Sequence, residues 1–95
     1  MERKRLMARE INASLGTLNG WSVKKDKLHK RFTFPNFAES LDFVNKIGRI
    51  AETADHHPDI SFGWGYAEIT TTTHDRGGIT DVDFALAKQI DTIWS

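Results

Sequence analysis

The order of apolar and polar positions divides the chain into segments of helical and of strand period. Met7, Ile11, Leu15 and Leu18 recur at spacings of four, four and three, which puts one apolar stripe on a helix over residues 3–16. Met7 lies on that stripe and is expected in the core, while Gly16 and Gly20 mark the helix exit. From Trp21 to Lys25 and from Leu28 to Phe34 the period shortens to two. Trp21 and Val23 share one face, and Leu28, Phe32 and Phe34 form the inner face of the next strand. The polar run Lys24-Lys25-Asp26-Lys27 predicts a hairpin turn, and His29 falls on the solvent side.

Pro35 stops the second strand, and Asn36 with Glu39 three residues later predicts a capped helix over 37–54. That helix carries two apolar stripes: Phe37, Leu41, Val44 and Ala51, then Phe43, Ile47, Ile50 and Ala54. One stripe covers a sheet, and in so short a chain the natural cover for the other is a second copy. A homodimer or homotetramer built through this helix is therefore expected.

Ile60, Phe62 and Trp64 alternate again, and Tyr66 to His74 predicts a long strand containing the β-branched run Thr70 to Thr73. Asp75-Arg76-Gly77-Gly78 reads as a turn, and Thr80 with Asp83 caps a last helix carrying Val82, Leu86, Ile90 and Ile93. The order α-β-β-α-β-β-α predicts an α+β fold, a single domain over residues 1–95 with an antiparallel four-stranded sheet covered by helices.

Composition narrows the class. A chain of 95 residues, 39% hydrophobic and 27% charged, fits one globular domain. Without cysteine there are no disulfides and no thiolate metal sites. No apolar run approaches the roughly 18 residues of a membrane span. The first residues lack the apolar stretch of a secretory signal, so a cytoplasmic location is expected. The net charge of zero is unevenly spread. Residues 1–31 hold nine Lys/Arg against three Asp/Glu, and residues 32–95 hold four against ten. Complementarity between the halves accounts for this, so nucleic acid is not the expected partner.

Chemistry concentrates between Glu52 and His74, where three of the four histidines fall in 23 residues. Imidazole, with an unperturbed pKa of about 6.5, gives and takes protons near neutrality. Pro58 disfavours helix at His57, so the helix ends near His56 and the two rings project differently. Glu52, four residues before His56, lies on its face and is expected to orient that ring. His74 ends the long strand, bringing a sheet end to a helix end, where pockets commonly form. Three readings stay open on the residues alone. The pair is a helix terminus interacting with its dipole, or a three-histidine zinc site, which adjacent ligands make awkward, or an acid–base site without metal.

Glu52, His56-His57-Pro58, Trp64 and His74-Asp75, followed by Gly77-Gly78, Thr80 and Asp83, resemble pterin-4a-carbinolamine dehydratase. Gly20-Trp21, Phe32-Thr33-Phe34 and Asn36-Phe37 extend the likeness over nearly the whole chain. The resemblance implies a compact α+β fold that forms dimers or tetramers. It implies dehydration of 4a-hydroxytetrahydropterin to quinonoid dihydropterin, in tetrahydrobiopterin recycling, with no cofactor and no metal. It makes His56, His57 and His74 the catalytic set. His56 and His74 would divide the acid and base roles, and His57 would bind or serve the opposite stereoisomer. Glu52, Pro58, Asp59, Trp64, Thr72, Thr73 and Asp75 are the expected binding or orienting residues, with Trp64 either stacking on the pterin or packed in the core. The family also implies an alternative, a non-catalytic dimerisation, coactivator or assembly module with its own protein partner.

Overall fold

Period two on one chain segment forms a covered sheet only when neighbouring strands keep register, and here they do. In the computed structural model, which describes residues 4–94, the elements are α1 (Ala8–Leu15), β1 (Ser22–Lys24), β2 (Lys27–Thr33), α2 (Phe37–Ala54), β3 (Asp59–Gly63), β4 (Tyr66–Thr71) and α3 (Asp81–Trp94). The strands form one antiparallel sheet in the order β1-β2-β4-β3. Leu28 stands opposite Thr71 and Phe32 opposite Ala67, with Ile60 and Phe62 beside Ile69 and Ala67. One sheet face is thus apolar. Phe43 and Ile47 of α2 and Phe84, Leu86, Ala87 and Ile90 of α3 complete the core on it. Among the described residues no helix is long and apolar enough to cross a membrane.

The opposite face of the sheet is polar. Arg31 donates to Glu68 at 2.7 Å, its guanidinium lies 4.4 Å from the centre of the Tyr66 ring, and His29 approaches the same carboxylate at 3.5 Å. The Arg31 hydrogen bond, with the His29 one behind it, holds the Glu68 carboxyl below the ordinary carboxylate range.

α2 occupies the expected 37–54, and the Asn36 side chain accepts the Glu39 N–H at 2.9 Å. Its two predicted stripes separate differently from expectation. Ser40, Phe43, Ile47 and Ala51 are buried, whereas Phe37 and Leu41 stay exposed. The N-terminal helix also starts later than its periodicity suggests. Met7 is an extended N-cap and 69% exposed, and residue 3 lies outside the described residues. Leu6 takes the core place because its N–H pairs with the Ile79 carbonyl at 2.8 Å, which keeps the chain extended there and turns the next side chain outward. Val23, expected to share a face with the buried Trp21, is exposed.

Two turns set the geometry around the histidines. The β1–β2 hairpin has Lys25 and Asp26 both left-handed, at φ 49 and 60, which matches the twist of a two-residue hairpin. β4 is shorter than predicted. Past Thr71 only Thr73 pairs, in a bridge to Gly78, and His74 opens a 3-10 turn (His74–Arg76) that left-handed Gly77 closes.

Candidate active site

α2 ends in a reversal that decides the fate of the two adjacent histidines. The His56 N–H returns to the Ala51 carbonyl at 3.1 Å and the Asp55 N–H to the Glu52 carbonyl at 3.3 Å, with Asp55 left-handed at φ 52. This is the Schellman arrangement, with aspartate at the position usually held by glycine. The chain then runs extended through Pro58 into β3, so neighbouring side chains diverge. His56 turns into the protein, and His57 turns out to solvent.

His56 meets the carboxylate of Asp83, with Nε2 2.6 Å from Oδ1. The same oxygen accepts the Thr71 hydroxyl at 2.6 Å, and Oδ2 accepts the Thr73 hydroxyl and the Thr80 N–H, each at 2.9 Å. As a carboxylate Asp83 accepts from all four, which puts the His56 proton on Nε2 and leaves Nδ1 as the lone-pair nitrogen of the neutral ring. The Thr80 hydroxyl accepts the Val82 N–H at 3.2 Å, so one Thr-x-x-Asp unit both starts α3 and holds His56. Asp83 is fully buried. Sequence reasoning saw the cap and missed the site residue. The available signal was that Thr71 and Thr73, two apart on one extended segment, face inward together and need an acceptor there.

Glu52 pairs with the other ring. Its Oε2 is in close contact with Nε2 of His57, five residues on, not with His56 as the helical spacing suggested. The left-handed residue at Asp55 is the reason: it takes His56 off the helix face and brings His57 round instead.

All three imidazoles line one open depression of ≈ 320 Å³, together with Asp55, Thr72, Thr73 and Asp75. That is the low end of the size range for small-molecule sites. His74 and Asp75 are exposed there, and Thr72 donates its hydroxyl to the Asp26 carbonyl at 2.9 Å, tying the β1–β2 turn to the site. Asp55 joins this lining unannounced by the sequence.

Three predicted residues stand elsewhere. Pro58 is half-buried outside the depression, where it directs the chain into β3, and Asp59 opens β3, exposed, opposite Thr70 on the polar sheet face. Trp64 is 72% exposed in the turn that joins β3 to β4. The length of β3, at roughly 3.3 Å per residue, separates it from the histidines, so neither the core nor a stack on a ring bound there in the same chain holds it. Left-handed Gly65 makes that turn, which is why the alternation through Ile60 and Phe62 does not carry Trp64 inward.

Among the described residues no group of three or more His, Asp or Glu side chains is placed to hold a metal ion. A roomier groove of ≈ 620 Å³ runs between α2 and α3 past Arg49, Ile50, Gln89 and Ile93. Its lining offers no imidazole or carboxylate, unlike the smaller depression.

A family model described as Pterin 4 alpha carbinolamine dehydratase matches residues 4–93. The chain is 46% identical over 89 residues to a protein of Rubrobacter xylanophilus, provisionally named a pterin-4-alpha-carbinolamine dehydratase, covering 93% of this chain and 83% of the relative. A protein of Picosynechococcus sp. with the same provisional name is also 46% identical, over 94% of this chain and 97% of its own. Among solved structures, a transcriptional coactivator/pterin dehydratase from Brucella melitensis superposes with a TM-score of 0.93 at 28% identity, over 97% of this chain and 100% of that one. A pterin dehydratase-like protein identified as a RuBisCO assembly factor in the alpha-carboxysome gives 0.65 at 28%, over 79% and 87%.

Proposed function

The chain belongs to the pterin 4 alpha carbinolamine dehydratase family, and from that premise we propose that it dehydrates 4a-hydroxytetrahydropterin to quinonoid dihydropterin in tetrahydrobiopterin recycling in the cytoplasm, without a cofactor. One observation carries the reading: three imidazoles line a single open depression, and one of them has its tautomer set by a buried carboxylate.

The reaction breaks the C4a–O bond and removes the N5 proton, so that a C4a=N5 double bond forms and water leaves. It needs an acid at the hydroxyl and a base at N5, each contributing roughly 10²- to 10⁴-fold. His56 supplies the base through Nδ1, because Nε2–H is committed to Asp83. His74, exposed at the edge of the depression, protonates the departing hydroxyl. His57, paired with Glu52, serves the opposite stereoisomer. Asp83 is a positioning residue.

Stopped-flow measurement of carbinolamine breakdown with each 4a isomer tests this. Wild type should accelerate the reaction, unaffected by a chelator, and His74→Ala should lose about 10²- to 10⁴-fold. Undiminished turnover in that variant sinks the assignment.

We further propose a homo-oligomer. Phe37, Leu41 and Trp64 are exposed, and β3 is an outer strand of the sheet. Sedimentation at micromolar concentration showing monomer alone counts against it. The same exposed apolar groups favour a second reading, a partner-binding or assembly module. A protein that accelerates neither isomer yet oligomerises supports that one.

A further inference from the structure

Beside the histidines lies a second depression, of ≈ 230 Å³, whose lining includes Lys25, Asp26, Lys27 and Gly78. The two depressions share Thr72 and His74, so a ligand lying on the three rings continues past His74 into the second. Their charges differ. The histidine side carries Asp55 and Asp75, the latter shared with Arg76 at 3.5 Å. The far side carries two lysines, and its one carboxylate, Asp26, is shared with Arg5 at 3.9 Å. Arg5 also backs Gly78, whose Cβ, if it had one, would sit 2.9 Å from Nε.

The turn that carries the lysines is held in place. Lys25 adopts a left-handed conformation that glycine or asparagine would enter more easily, and the hydrogen bond from Thr72 to the Asp26 carbonyl at 2.9 Å fixes the turn against β4.

A pterin has a direction. Its pyrimidine end presents N–H donors, which suit Asp55 and Asp75 and would be set against ammonium groups in the reverse orientation. C4a and N5 are central, and C6, which bears the side chain, adjoins N5. With the donors toward the carboxylates, the side chain leaves past His74 toward Lys25 and Lys27. We propose, resting on the reading of the site given above, that this second depression binds an anionic group on the C6 side chain. A carbinolamine whose tail ends in a phosphate ester or a carboxylate is then turned over faster than the dihydroxypropyl substrate of tetrahydrobiopterin recycling, which the site also accepts.

The test compares three carbinolamines, with a dihydroxypropyl tail, its phosphate ester, and an aminobenzoyl-glutamate tail, on wild type and on the Lys25→Gln/Lys27→Gln double variant. Exposed lysine–anion pairs each change binding by about two- to fivefold, so the kcat/KM ratio of anionic to neutral substrate should be roughly five- to tenfold in wild type. It should fall toward one in the double variant, and also in wild type as salt rises to about 0.5 M. Preference for the ester alone assigns the site to phosphate, and preference for the glutamate tail alone assigns it to carboxylate. Equal kcat/KM for all three in wild type, or a preference that survives both substitutions, overturns the proposal. If no carbinolamine is accelerated, the functional reading fails instead. Equilibrium binding of the phosphorylated and unphosphorylated oxidised pterins then decides the tail site: tighter binding of the ester, lost in the double variant, sustains it, and equal binding overturns it.

Discussion

Two neighbouring histidines, each paired with a carboxylate, occupy opposite environments. His56 and Asp83 are 5% and 0% exposed in their side chains, His57 and Glu52 56% and 78%. The inner pair belongs to a network whose carboxylate accepts four bonds out of water, where an unpaired polar group is costly. The outer pair faces solvent, which screens it and offers replacement bonds. The same chemical partnership thus holds the fold together in one place and lies open to solvent in the other.

Breaking the inner pair should have the largest effect. Asp83→Ala removes the shared acceptor of His56, two threonine hydroxyls and the Thr80 N–H. The expected loss is about 3–5 kcal/mol, or on the order of 15–30 °C in Tm for a domain this size. A shift of only a few degrees in a circular dichroism melt would erase the contrast. His74→Ala, by comparison, should pair its loss of turnover with a stability change within about 0.5 kcal/mol, a few degrees at most by the same melt. Glu52→Gln is expected to cost less than about 1 kcal/mol in stability and a few-fold in turnover, and that difference should shrink as salt is raised.

The smallest effect concerns Glu68 on the polar sheet face. Bonded by Arg31 and then His29, its folded pKa lies below the ordinary 4.5. A lowered carboxylate stabilises the fold above its unfolded pKa and loses that contribution as pH falls through the folded one. The Tm gap between wild type and Glu68→Gln should therefore be small and constant near neutrality and should close below about pH 4.5. A gap that widens in acid would reverse the assignment.

What could be read in the sequence was what local rules determine. The bounds of α2 follow from Pro35, Asn36 and the end forced before Pro58, and the sheet order of elements from the change of period. The three-histidine depression was legible because the spacing and the family likeness pointed to the same residues. The partners were not. The Glu52–His57 and His56–Asp83 pairings depend on one left-handed residue, Asp55, which nothing local demands. The outward position of Met7 depends on the backbone bond from Leu6 to Ile79, 73 residues further along the chain, and the place of Trp64 on the turn at Gly65. Burial of Asp83 likewise is a property of the assembled sheet and helix, invisible in a Thr-x-x-Asp motif.

The inner carboxylate has a consequence for descent. Because one side chain starts α3, closes the interior and presents His56, a change at Asp83 that disturbs folding also disturbs the proposed site. A descendant that gives up catalysis and keeps its shape has reason to retain that couple and none to retain the rings at the rim. On the proposed mechanism, replacing His57 and His74 together should therefore abolish turnover and leave the fold intact.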